Sequence, residues 1–102
     1  MTTDTVRDNA ARSRFELDVD GGVAFINYTR TNGARVLTHS EVPVALRGRG
    51  IGLQLVAGTL QMLRAQGEKL VPRCAFVVHF IERHREYADL LAPPAAAPSV
   101  RR

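Results

Sequence analysis

The sequence predicts a mixed α+β sandwich with the element order β-β-β-α-β-α, an antiparallel meander followed by a parallel β-α-β unit. Three observations predict it. Apolar residues alternate at period two over three stretches between Phe15 and Val42. They then recur at helical spacing over residues 50–66. Glycine-rich turn signals fall between the periodic stretches.

Residues 1–13 show no periodicity and read as a flexible arm ahead of one domain spanning residues 14–91. Phe15, Leu17 and Val19 alternate with Glu16 and Asp18, which is strand spacing. Asp20-Gly21-Gly22 is a turn signal. Val23 to Arg30 gives a second strand, with Phe25, Asn27 and Thr29 on one face and Ala24, Ile26 and Tyr28 on the other. Thr31-Asn32-Gly33 turns the chain again, and Arg35 to Val42 is a third strand that Pro43 ends.

A loop from Val44 to Arg49 leads into a helix over about Gly50 to Gln66. Ile51, Leu55, Val56, Leu60 and Leu63 make its core stripe, and Gln54, Gly58, Gln61 and Ala65 its solvent side. Gly67 suits a helix C-terminus. Lys69 to Arg73 is a short strand, with Pro72 near its end. Ala75 to His84 is a second helix with Phe76, Val77, Phe80 and Ile81 at core spacing, and Glu86 to Leu91 adds a last turn. Residues 92–102, rich in Pro and Ala, read as a disordered tail. The third strand, long helix and fourth strand form a right-handed crossover with parallel strands. A ligand in such a unit sits beyond the carboxyl ends of the strands, next to the helix N-terminus.

Whole-chain properties narrow the function classes. At 102 residues the chain is one domain. Its 14 Lys+Arg against 10 Asp+Glu give a net charge of +4, which favours an anionic partner. No basic stretch is interleaved with aromatics, which argues for a phosphorylated cofactor over nucleic acid. Cys74 stands alone, so no internal disulfide forms, as fits a reducing cytoplasm. The polar N-terminus has no apolar signal region, and no apolar run approaches the roughly 20 residues that cross a bilayer. His79 and His84 are five apart with no second cysteine nearby, so no metal site is read. The chain is expected as a monomer or a homodimer, the latter through an uncovered sheet edge.

Arg47-Gly48-Arg49-Gly50-Ile51-Gly52 falls at the strand-to-helix junction. Its glycines let backbone approach a bulky anion. The first helical amides offer donors, the helix dipole adds partial positive charge, and Arg47 and Arg49 add full charges. Together these make a diphosphate cradle. A P-loop would need Gly-Lys-Ser/Thr, which is absent. A dinucleotide fingerprint would need glycine where Leu53 stands, and an acidic residue in the region of Leu70-Val71-Pro72. What remains is Arg/Gln-x-x-Gly-x-Gly/Ala, met by Arg47, Gly50 and Gly52.

That segment resembles the pyrophosphate motif of the GNAT superfamily of acyl-CoA-dependent N-acyltransferases. The resemblance widens through His39-Ser40-Glu41-Val42-Pro43, Val71 to Val77 and Ile81 to Leu90, and is similar to compact single-domain members of that superfamily. It implies a minimal GNAT fold, acetyl-CoA or coenzyme A as cofactor and an amine acceptor, either a small molecule or a protein. It also implies that Val42 and Val44 offer backbone contacts to pantetheine and pyrophosphate. Gly48, Ile51 and the four other residues of the turn would surround the phosphates, and Phe76, Phe80 and Arg83 would line the other wall. Larger members carry two helices after their first strand that shape the acceptor site; here only Asp20-Gly21-Gly22 separates the first two strands. The alternative reading is therefore an acyl-CoA-binding module with little or no catalysis.

Acetyl transfer to an amine needs a neutral nucleophile, hence a base. His39 and Glu41 lie two apart on the third strand and share a face. They are either that base or an ordinary polar pair. Cys74 ends the fourth strand and is either an acyl-accepting nucleophile or a small residue lining the site. Tyr87 is the residue that would protonate the leaving thiolate by the same resemblance, although packing suits its position as well.

Overall fold

The computed structural model describes residues 5–19 and 22–93. The expected turn at Asp20-Gly21 and the expected tail from residue 94 lie outside the described residues. Five strands form one sheet in the order β1-β2-β3-β4-β5, with β1 Val6–Asn9, β2 Arg14–Val19, β3 Gly22–Thr31, β4 Ala34–Glu41 and β5 Lys69–Pro72. Helix α1 spans Ile51–Ala65 and α2 spans Ala75–Arg83. Short 3-10 turns cover Ala10–Arg12, Val44–Leu46 and Arg85–Leu90. β1 to β4 pair antiparallel and β4 to β5 parallel, which is the α+β architecture the periodicity predicts.

One strand is new. Residues 6–9, expected within a flexible arm, pair with β2 in the register Val6↔Leu17 to Asn9↔Arg14. Val6 is the reason they dock. It is 5% exposed and packs on α1 at Gly58, where an added Cβ would fall 2.5 Å from its Cγ2. Gly58, expected on the solvent side of the helix, is thus the seat of β1. At the other edge Leu91 bridges Leu70 and the Ala92 amide donates to the Leu70 carbonyl, so the sheet's contacts continue past α2.

Residues paired across the ladder share a face. Phe15, Leu17, Ala24, Ile26, Tyr28 and Leu37 share the one on which both α-helices pack. Ile51, Leu55, Val56, Leu60 and Leu63 of α1 and Val77, Phe80 and Ile81 of α2 complete this core. Each fully buried leucine contributes about 1.5–3 kcal/mol relative to an exposed one. Among the described residues no α-helix covers the opposite face.

Two charge networks hold the sheet. On the helix side Arg35 is 2% exposed, 3.1 Å from Asp8 and 2.9 Å from Glu68, and lies over the rings of Phe15 and Tyr28. The pairs have ion-pair distances but poorly aligned N–H directions, so their attraction is mainly Coulombic. Tyr28 donates its hydroxyl to Asp8 at 2.6 Å, and burial, then that bond, push its pKa up. On the opposite face Glu16 is 2% exposed between Arg7, Arg14 and Asn9. Burial alone would raise its carboxyl pKa. The hydrogen bonds from Arg14 and Asn9 and the nearby arginine charges outweigh burial and hold it below the usual range. The folded state therefore binds the Glu16 proton less tightly than the unfolded chain does. This stabilisation is present above the unfolded pKa and is lost as pH falls through the lower folded value. The urea midpoint is expected to fall between about pH 5 and pH 2, and Glu16→Gln is expected to flatten that fall.

Candidate active site

The backbone ladder between β4 and β5 runs from Ala34↔Lys69 to Leu37↔Pro72 and ends there, apart from the Arg73 amide donating to the Leu37 carbonyl at 2.9 Å. Beyond Leu37, β4 runs on to Glu41, whereas β5 ends at Pro72. A cavity of about 560 Å³ opens between the end of β4, the start of α1 and Phe76 of α2, lined by His39, Ser40, Glu41, Val42, Arg47, Gly52, Leu55 and Phe76. It lies at the carboxyl ends of the parallel pair and the start of α1, where a β-α-β unit is expected to hold its ligand.

A bulge decides which side chains face which way. Register shifts between Asn27 and Tyr28, so that Asn27 pairs with His39 and Tyr28 with Leu37. Thr38 is the extra residue, its hydroxyl donating to the Asn27 carbonyl at 3.3 Å. After it the alternation is reversed. Ser40 pairs with buried Ile26 and stands on the helix side, its Oγ 3.3 Å from Cys74 Sγ. His39 and Glu41 share the other face, their side chains 57% and 58% exposed, with His39 Nε2 2.9 Å from Glu41 Oε2. The two residues do share a face, as their spacing predicts, and both border the cavity. Ser40 is the site residue that sequence reasoning passes over, because no alternation pattern announces a bulge.

The glycine turn follows. Val44–Leu46 form a 3-10 turn pinned by buried Leu46, and Arg47 folds back to donate from Nε to the Val42 carbonyl at 3.1 Å. Gly50 caps α1 in the left-handed region, with φ of 75°. The first helical bond runs from the Gln54 amide to the Gly50 carbonyl, which leaves the amides of Ile51, Gly52 and Leu53 without acceptors in the helix. No acidic side chain occupies the first turn of α1. A Cβ on Gly48 or Gly50 would meet nothing within 4 Å, so the surface over these amides is open. Open donors, the positive end of a 15-residue helix, and exposed Arg47 and Arg49 fit a diphosphate.

The other expected cofactor residues divide into groups. Val42 lines the cavity, whereas the Val44 side chain is 76% exposed beside it. Ile51 turns its side chain into the core and offers only backbone. Cys74 caps α2, partly buried against the core. Phe76, expected in the core of α2, is 40% exposed. Its ring lies over Gly52, where a Cβ would come within 2.9 Å of Cζ. It separates the main cavity from a smaller one of about 200 Å³ lined by Leu53, His79, Phe80, Arg83 and His84 as well. Phe80 and Arg83 thus sit one cavity further along the same surface. Tyr87 is elsewhere. Its hydroxyl accepts from Gln61 Nε2 at 3.2 Å and its ring packs on Phe80, so it braces α1 against the last turn. Among the described residues no group of three or more His, Cys, Asp or Glu could hold a metal ion, and no helix is long and apolar enough to cross a membrane.

Comparison with known proteins agrees with this fold. No curated protein matches the sequence significantly. The fold is similar to the NMR solution structure of a GCN5-like protein from Staphylococcus aureus, with a TM-score of 0.65 at 23% identity. That match covers 90% of this chain and 91% of that one. A family model for the GCN5-related N-acetyltransferases matches residues 14–90, which takes in β2 through the last turn and the glycine-rich segment 47–52. With three quarters of its length inside that match, the chain belongs to the GCN5-related N-acetyltransferase family.

Proposed function

We propose that the protein binds acetyl-coenzyme A and transfers its acetyl group to an amine, in the reducing cytoplasm that its single cysteine suits. The observation that carries this reading is the junction itself. An open glycine turn on a helix N-terminus adjoins a cavity bordered by the end of β4 and by Phe76 of α2. Gly48, Gly50 and the amides of Ile51 and Gly52 would hold the diphosphate, with Arg47 and Arg49 supplying charge. The backbone at Val42 and Val44 would hold the pantetheine arm, and Phe76, Phe80 and Arg83 the other wall. The bound thioester supplies the acyl group. His39 and Glu41 take the acceptor's proton, and Cys74 stands behind Ser40, which lines the cavity.

Calorimetry with coenzyme A tests the first half. Binding is expected with a Kd below about 1 mM, the usual upper range for such substrates; no heat at millimolar ligand sinks the reading. Thiol release from acetyl-CoA tests the second half. It is expected only when an amine is present, with Glu41→Gln losing more rate than Cys74→Ala. Binding without amine-dependent release would favour a coenzyme A-binding module.

A further inference from the structure

Gly52 and Leu53 are consecutive in the first turn of α1, yet they open on different cavities. Gly52 lines the one at the end of β4, and Leu53 lines the smaller one of about 200 Å³. Phe76 lines both, so the open amides of the turn stand at their common border. The two cavities differ in chemistry. The first holds Ser40 and the His39–Glu41 pair. The second is aromatic and apolar. Leu53 and Phe76, at 51% and 40%, are two of the three large apolar side chains that stand exposed among the described residues. Phe80, also in its lining, stacks on His84 with 4.2 Å between ring centroids. Arg83 is the one permanent charge there, and among the described residues no carboxylate lies at ion-pair distance from it. Its neighbour Glu82 pairs with His79 at 3.4 Å instead. A whole drug-sized ligand fills roughly 300–1,000 Å³, so the smaller cavity takes only one ring system. Aromatic walls take a flat ring by offset stacking, and an unpaired arginine takes an oxyanion.

We propose that the small cavity between α1 and α2 takes the adenine of coenzyme A and that Arg83 pairs with its 3′-phosphate, so that the protein selects 3′-phosphorylated donors over their dephospho forms. This rests on the coenzyme A reading above. The diphosphate on the glycine turn then divides the cofactor between Gly52 and Leu53. The narrow arm runs into the first cavity, where its thioester meets the His39–Glu41 pair. The nucleoside turns the other way, past Phe76. Of the opposite wall Phe76 alone faces the arm, and Phe80 and Arg83 face the nucleoside. Phe80 is 6% exposed, so core packing holds the ring on which His84 stacks and gives the base a fixed floor. Arg83 lies exposed in the last turn of α2, free to close on a phosphate.

The histidines make the test direct. The chain has 3, of which His39 lines the first cavity and His79 and His84 the second. Their ring resonances, assigned from His39→Gln, His79→Gln and His84→Gln, report on the two sites separately at constant pH and ionic strength. Adenosine 3′,5′-bisphosphate is expected to shift His79 and His84 and to leave His39 in place, whereas coenzyme A is expected to shift all of them. By calorimetry, dephospho-coenzyme A is expected to bind at least about tenfold more weakly than coenzyme A, the effect of one charge-assisted contact. Arg83→Ala is expected to bring that ratio below about threefold by weakening coenzyme A alone. Arg83→Lys, which keeps the charge and loses the fork, is expected to recover part of it. A wild type that binds both forms equally overturns the proposal. So does an Arg83→Ala protein that keeps the full ratio, and so does a bisphosphate that moves His39 but neither His79 nor His84. Absence of coenzyme A binding in wild type is the distinct result that removes the underlying reading along with it.

Discussion

Gly50→Glu is expected to abolish the rise in melting temperature that coenzyme A produces. A ligand at 100 times its Kd adds about 2.7 kcal/mol of stability. In a domain of this size that corresponds to roughly 10–20 °C. The substitution strikes the cradle in two ways. Its carboxylate would stand at the helix N-terminus beside the diphosphate, and like charges about 4 Å apart near a protein surface repel by about 4 kcal/mol. Its backbone must also keep a φ of 75°, which a non-glycine residue adopts at a cost of about 1–2 kcal/mol. The space around Gly50 is open, so the protein still folds. Asparagine tolerates the left-handed region and brings no charge, which makes Gly50→Asn the control. It is expected to lower the starting melting temperature slightly and to keep most of the coenzyme A shift. A Gly50→Glu protein with an undiminished shift would move the phosphates away from the turn.

Arg35→Leu is expected to cost about 3 kcal/mol. Removing one partner of a buried ion pair costs about 3–5 kcal/mol, because the other partner stays behind unpaired. Here two carboxylates stay behind. Asp8 and Glu68 keep 20% and 26% of their side-chain exposure, which sets the effect at the lower end of that range. The lost ring contacts with Phe15 and Tyr28 act in the same direction. For a small domain this is a melting temperature lower by about 12–20 °C, out of a total stability of roughly 5–10 kcal/mol. Adding Asp8→Asn and Glu68→Gln to Arg35→Leu removes the orphaned charge and is expected to restore part of the loss. A loss under about 1 kcal/mol in Arg35→Leu would mean that water already screens these pairs.

Much of this architecture is legible in the sequence, because burial on one face writes a period-two or 3.6-residue pattern into the chain. Phe15 and Leu17, then Ala24, Ile26 and Tyr28, and the α1 stripe of Ile51, Leu55, Val56, Leu60 and Leu63 are core residues for the reason their spacing implies. The turn before α1 is legible because a left-handed helix cap and an open backbone favour glycine, as at Gly50 and Gly48. β1 is not, since Val6 is the single apolar anchor in a four-residue strand and one residue has no period. Phe76 misleads for the opposite reason. It keeps helical core spacing, yet Gly52 leaves a gap beneath its ring, and it forms the wall between two cavities instead. Nothing in the sequence marks Arg35, at the start of the third expected strand, as buried; the three-dimensional meeting of β1, β4 and the turn before β5 buries it. The pair of site residues in contact at Ser40 and Cys74 is separated by 34 positions, so no local pattern carries it.

The extra residue at Thr38 behaves like a frameshift in the code that relates position to face. Upstream of it, odd-numbered positions of β4 such as Arg35 and Leu37 look toward the helices; downstream, even-numbered Ser40 takes their place and His39 and Glu41 look away. Roles in this stretch are set by counting from the bulge. Two related chains aligned through His39-Ser40-Glu41 with a one-residue gap on the wrong side of Thr38 would match letter for letter and still exchange the His39–Glu41 face of the sheet for the Ser40–Cys74 face.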